Sequence, residues 1–134
     1  MGSTATALVG FAGWLALLSL VLGVYRVGLV LSGRKAANTF ATSGADLEAF
    51  GQRLTRARDN CYETLPLFAA IALGASISGH LSVTDPLAMW VLGLRLAQST
   101  THIISTSVPA VLLRANLFFA QILIYLWWTM QLLG

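Results

Sequence analysis

MGSTATALVGFAGWLALLSLVLGVY, residues 1–25, contains no Asp, Glu, Lys or Arg, and from Leu8 to Tyr25 it is almost unbroken apolar sequence. A bilayer core about 30 Å thick is crossed by roughly 20 helical residues, so this stretch has the length and chemistry of a membrane span. The rest of the chain divides in the same way. Residues 64–84 hold no charge, nor do residues 96–113, nor residues 115–134. The spacing predicts an all-α integral membrane protein of four transmembrane helices, near 6–31, 57–79, 86–106 and 110–132, forming a single domain over 1–134.

Composition agrees. Hydrophobic residues make up 57% of the 134 and charged residues 10%, against about 25% charged in an average soluble domain. That balance excludes a disordered chain, a disulfide scaffold and a soluble nucleic-acid binder. The single cysteine, Cys61, closes no intrachain disulfide. The first span is not read as a signal peptide, because no basic residue precedes it and its apolar run is too long. His80–Asp85 reads as a short turn with Pro86 opening the third helix, and Ser107-Val108-Pro109 separates the third from the fourth. Residues 32–52, rich in Gly, Ser, Thr and Ala, read as a longer loop able to cover a site beside it. Ala70 with Gly74, and Ala75 with Gly79, have the small-residue spacing that lets membrane helices approach closely.

The net charge of +3 is distributed as a topology signal. Arg26, Arg34, Lys35, Arg53, Arg56 and Arg58 surround the first loop, and Arg114 returns to the same side. The positive-inside rule places the 32–52 loop in the cytoplasm and both termini outside. Tyr25, Trp90, Trp127 and Trp128 lie toward span ends, where aromatic side chains anchor at interfaces.

The segment Arg53–Pro66, RLTRARDNCYETLP, is the most polar entry into any span. At about 100° per residue, Arg53, Arg56, Asn60 and Glu63 share an arc of about 80° on one helix face, with Asp59 at its edge and Arg58 turned elsewhere. Guanidinium forks and an amide beside one carboxylate suit a small zwitterion. Pro66 removes a helix hydrogen bond and frees the Tyr62 carbonyl as a further acceptor. The plain alternative is a solvated helix end, its arginines snorkelling and Glu63 neutralising Arg56. In the third span, Arg95, Gln98 and His102 fall on one face. A hydrogen-bonded packing network is the preferred reading there, with a polar relay or part of the site as the alternative. His102 has no second histidine at ligand spacing, so no metal site is expected. His80 reads as a loop residue and Cys61 as an inert buried side chain. No phosphate loop and no serine-hydrolase elbow is present.

The run Arg56-Ala57-Arg58-Asp59-Asn60-Cys61-Tyr62-Glu63-Thr64-Leu65-Pro66-Leu67-Phe68 resembles the signature of the MAPEG family, the membrane-associated proteins of eicosanoid and glutathione metabolism. Length, four spans and a charged first loop extend the resemblance over the whole chain. It implies a four-helix bundle assembled as a homotrimer, with glutathione held between neighbouring subunits at the cytoplasmic face. It assigns glutathione contacts to Arg56, Asn60 and Glu63, adds Arg34 at the end of the first span, and makes Arg114 the catalytic arginine that holds the sulfur as thiolate. Arg53, Arg58, Tyr62 and Ser105 are secondary candidates. Two positions depart from the family pattern. Arg58 stands where many members have histidine or glutamine. The usual tyrosine late in the third span is absent from His102-Ile103-Ile104-Ser105-Thr106-Ser107, leaving Ser105 or Thr106 as the nearest hydroxyl.

The expected function is therefore a membrane-bound, glutathione-dependent transferase or peroxidase acting on lipophilic electrophiles or lipid hydroperoxides. Its partners would be glutathione, a lipophilic small molecule and membrane lipid, with no nucleic acid. The alternatives are a non-catalytic scaffold or lipid-binding protein of the same fold and, further off, a small multidrug exporter. Proton-coupled export calls for a carboxylate within the membrane, commonly in the first span, and that span has none.

Overall fold

A computed structural model describes all of Met1–Gly134 as four helices: α1 (Ser3–Leu31), α2 (Ala49–Ile77), α3 (Leu81–Ile104) and α4 (Val108–Leu133). α1 and α4 are each long and apolar enough to cross a membrane. α2 and α3 have the length too but carry more polar residues, of which Asn60, Arg95 and Gln98 meet between the two helices. α3 is the central element, packed against α1, α2 and α4, whereas α1 and α4 are not neighbours. The bundle is therefore open on one side, with α2 and α3 forming its spine.

An aromatic stack fills the interior. Phe68 of α2 lies 5.8 Å from Phe11, 6.1 Å from Tyr125 and 5.9 Å from Trp128, centroid to centroid. Rings at these distances in offset or tilted geometry add about 0.5–1.5 kcal/mol per pair beyond the area they bury. Ala7, Ala57, Ala72, Ala75 and Ala88 are buried around them and let the backbones come close. Gly74 faces outward with open space around it, so of the two small-residue pairs only the Ala75 end packs within the chain.

Three boundaries differ from the sequence reading. The loop ends at Glu48, because Ala49–Arg56 extends α2 by two turns before the expected start of the span. The turn between α2 and α3 is confined to Ser78–His80, with Gly79 at φ 75° making the reversal. α3 consequently begins at Leu81, and Pro86 lies inside it rather than opening it. At the sixth helical position Pro86 forgoes the hydrogen bond that an N–H there would give the Ser82 carbonyl, and α3 continues through it.

The ends of the bundle are tied differently. At one end, the Thr4 hydroxyl and backbone N–H both donate to the Asp85 carboxylate, at 2.6 and 2.9 Å, and Thr4 Oγ1 shares a 2.7 Å hydrogen bond with Thr84. One carboxylate thus caps the first turn of α1 and fastens it to α3. At the other end, the 32–48 loop folds back on the bundle. A Cβ at Gly51 would sit 2.7 Å from Tyr25 Cε1 and 2.9 Å from Leu47 Cβ, so only glycine permits that contact. Leu47 is buried there. No loop residue lines the hollows beside Asn60, so the expected covering role of the loop is not seen.

Candidate functional site

The polar face of α2 and the loop-side halves of α3 and α4 border an open hollow of about 330 Å³. Its polar wall is Asn60, Gln98, His102 and Arg114, and its apolar wall is Val111, Ala115, Phe118 and Phe119. A second hollow of about 320 Å³ adjoins it, lined by Arg56, Asp59, Asn60, Glu63 and His102 with no apolar residue. Asn60 and His102 belong to both, so a wholly polar compartment opens into a half-apolar one.

Asn60 is held by residues that fix its orientation. Its Oδ1 accepts hydrogen bonds from Arg95 Nη1 and from Gln98 Nε2, the latter at 3.0 Å. Arg95 can only donate. Gln98 is set in turn, because its Oε1 accepts at 2.8 Å from Gln121 Nε2, which also donates at 3.0 Å to the Leu117 carbonyl. A backbone carbonyl can only accept. The chain of amides is thus anchored at one end by a cation and at the other by a carbonyl, and the Asn60 NH₂ is the group left for a ligand. Arg95 itself is fully buried, its guanidinium 5.4 Å from the centroid of Phe11. No carboxylate pairs with it. Of the two readings of Arg95, Gln98 and His102, the packing network holds for Arg95, which lines no cavity, while Gln98 and His102 belong to the site as well.

Arg114 and His102 form the second fixed pair. Arg114 Nη1 lies 2.8 Å from His102 Nδ1. A guanidinium always donates, so Nδ1 accepts and the ring proton sits on Nε2. Like Asn60, His102 then offers a donor. Arg114 Nε has no protein partner. Arg56 and Glu63 are both exposed and unpaired, since the ion pairs of the chain are Lys35–Asp46 and Arg58–Asp59, each at 2.7 Å. The reading of Glu63 as a neutraliser of Arg56 is therefore not realised.

The secondary candidates lie elsewhere. Arg53 donates from Nε to the Ile103 carbonyl at 2.7 Å, tying α2 to the end of α3. Arg58, turned away as its register predicts, lines a separate groove with Asp59, Tyr62, Leu15 and Ser19. The Tyr62 side chain is exposed in that groove, and α2 runs through Pro66 without a break. Ser105 exchanges hydrogen bonds with Ser107 in the α3–α4 turn, at 3.0 and 3.1 Å, and reaches no cavity. Arg34 is exposed on the loop, outside both hollows. Cys61 is fully buried, 3.1 Å from Ser99 Oγ.

Gln121, and the pairing of His102 with Arg114, were not anticipated. A signal existed: Arg114, Phe118, Gln121, Tyr125 and Trp128 repeat at intervals of four and three, one face of α4. Comparison with known proteins adds a decisive observation, for the profile of the MAPEG family matches residues 4–134. The chain belongs to the MAPEG family. Members of this family are membrane proteins that typically bind glutathione and act as trimers. No curated protein and no solved structure matches the chain.

Proposed function

We propose that this MAPEG protein is a four-span, glutathione-dependent transferase or peroxidase, and that the α2–α3–α4 cavity holds the reacting sulfur. The observation that carries the reading is the division of that cavity. The Arg114, His102 and Asn60 donors face an apolar wall of Val111, Ala115, Phe118 and Phe119. A thiol made anionic and an electrophile arriving from lipid would meet at that boundary.

The chemistry follows from the residues. A free thiol has a pKa of about 8.5 and is only a few per cent ionised at neutral pH. The Arg114 guanidinium stabilises the thiolate, and the remaining donors are fixed before the ligand arrives, so little reorganisation accompanies ionisation. The adjoining compartment supplies Arg56 for a glutathione carboxylate and Glu63 for its ammonium group. The thiolate then forms a carbon–sulfur bond with an electrophile, either breaking the bond to a leaving group that departs as its anion or adding to an activated double bond whose displaced electron pair takes a proton from water. With a hydroperoxide it attacks the terminal oxygen, releasing an alcohol and leaving a sulfenic acid, which a second glutathione converts to disulfide and water. With no tyrosine in His102–Ser107, His102 supplies a ring N–H donor beside Arg114 in this reading.

In this reading the active form is a homotrimer, both termini lie outside the cytoplasm, and Arg34 reaches the site of a neighbouring copy. Two facts support it: Arg34 is exposed and engaged by no side chain, and α1 and α4 are not neighbours, which leaves bundle faces open to another copy. The test is glutathione titration of the detergent-purified protein, followed by the ultraviolet thiolate band. Binding with a thiolate band that vanishes in Arg114→Ala supports the reading. Absence of binding overturns it and leaves the scaffold alternative.

A further inference from the structure

We infer that Arg26, with the groove between the end of α1 and the first loop, binds the headgroup of an anionic phospholipid. Arg26 lies five residues before the last residue of α1, about 7.5 Å along the helix axis from its end. That depth suits the glycerol and phosphate layer of a membrane. Its Nε and Nη2 are buried and have no hydrogen-bond partner. Together they form one edge of the guanidinium, the fork that takes two oxygens of a phosphate side by side. Arg26 also lines a groove of about 340 Å³ whose other walls are Val27, Val30, Leu31, Ala37 and Phe40, so a phosphate seated there meets the fork after a small rotation of the side chain.

Nothing within the chain answers this charge. Lys35 and Arg26 both lie against the Phe40 ring, at 5.3 and 5.7 Å from its centroid. Lys35 is neutralised by Asp46, whereas Arg26 has no carboxylate. Asp46 and Asp59 are in ion pairs, Asp85 is in the Thr4 clasp at the opposite end, Glu63 is on the polar face of α2, and Glu48, exposed at the N-cap of α2, makes no ion pair with Arg26. A cation at membrane depth without a partner is costly, and in lipid the available counter-anion is the phosphodiester. The apolar walls continue along α1 through Val27, Val30 and Leu31, which gives the first part of an acyl chain a place to lie. The excess positive charge on this end of the bundle, where Arg34 follows α1 and Arg53 lies in the first turns of α2, favours a net-negative headgroup over a zwitterionic one.

The site is separate from the Asn60 cavity and shares no residue with it, so its fate is independent of the glutathione reading. The test uses the full chain purified in non-ionic detergent, with phosphatidylglycerol, phosphatidylcholine or soluble glycerol 3-phosphate added. Lipid retained on the protein is measured by native mass spectrometry, and the thermal midpoint is read alongside. Phosphatidylglycerol is expected to be retained about fivefold or more over phosphatidylcholine and to raise the midpoint. Arg26→Gln abolishes that preference, and Arg26→Lys keeps part of it, because charge remains while the fork is lost. Ala37→Trp, on the exposed loop, fills the groove while keeping the Arg26 charge and also abolishes the preference. Equal retention of the two lipids overturns the inference, as does a preference that survives both Arg26→Gln and Ala37→Trp. Complete displacement by glycerol 3-phosphate would reassign the site to a soluble phosphate. A change of oligomer size in Arg26→Gln without any lipid preference would reassign it to a contact between copies.

Discussion

Asn60 Oδ1 accepts from Arg95, so a fully buried cation sets which end of an exposed-side amide a ligand meets. The arrangement joins two problems of membrane protein structure. A charge inside the bundle needs a partner, and a binding site needs side chains that do not turn to suit themselves. Here the carbonyl end of Asn60 relieves the first, and the NH₂ end benefits from the second.

Asn60→Asp separates these roles. The new carboxylate pairs with Arg95, so the thermal midpoint is maintained or raised, while the donor is lost and an anion is repelled. Glutathione affinity is expected to fall at least about tenfold, a cost of about 1.4 kcal/mol. Asn60→Leu removes the partner of a buried cation and is expected to destabilise the fold by about 1–3 kcal/mol or more. Thermal melts with binding isotherms on both variants check the pair of outcomes.

His102 is distinguished by comparing two replacements. His102→Phe leaves Arg114 without its acceptor, and the guanidinium is free to swing, so the thiolate band weakens by about the factor of 10–100 that a lost charged hydrogen bond gives. His102→Gln retains one acceptor and one donor and is expected to restore most of the signal. Equal loss in both variants would show that the ring has a purely steric function.

The clasp at the far end predicts stability without function. Asp85→Ala removes the acceptor of both Thr4 hydrogen bonds and is expected to lower stability by about 1.5–3 kcal/mol. Glutathione binding in the surviving folded protein is unchanged, because no residue of the clasp lines a site cavity. Melting curves and equilibrium binding on the same sample test this.

The first loop carries a pH dependence. The Lys35 ammonium hydrogen-bonded to Asp46 holds its carboxyl below the usual carboxylate range. A depressed carboxylate contributes order that is present above its unfolded pKa of about 3.9 and is lost as pH falls through the lower folded value. Protection factors over residues 36–47, with the intrinsic pH dependence of amide exchange divided out, are therefore expected to stay constant from pH 7 to about pH 5 and to fall only below about pH 4. Asp46→Asn removes that dependence and gives low protection throughout.

What was legible in the sequence follows from period and charge. Long charge-free runs marked the helices, and register alone put Arg56, Asn60 and Glu63 on one face and turned Arg58 away. Boundaries were less legible. Pro86 read as a start because proline suits a first turn, yet Gly79 stops α2 hard and allows α3 to begin earlier. Ala49–Gln52 looked like loop because it continues a run rich in Gly, Ser, Thr and Ala, although Gly51 packs against Tyr25 and Leu47. Ser105 was favoured for its hydroxyl, but a hydroxyl beside a helix break finds the next serine first. Contacts between helices, such as His102 with Arg114 and Gln98 with Gln121, have no local signature. They depend on how α3 and α4 cross, and one chain read along its length does not give that.

The central claim is that Arg114 ionises a bound thiol at the boundary between the polar and apolar walls. The most direct test is the ultraviolet thiolate absorbance of glutathione bound to the purified protein near neutral pH, for the unaltered chain and for Arg114→Ala. The account predicts a thiolate band in the first and glutathione still bound but protonated in the second. Tight binding with no thiolate in either protein, or a band undiminished in Arg114→Ala, would contradict it.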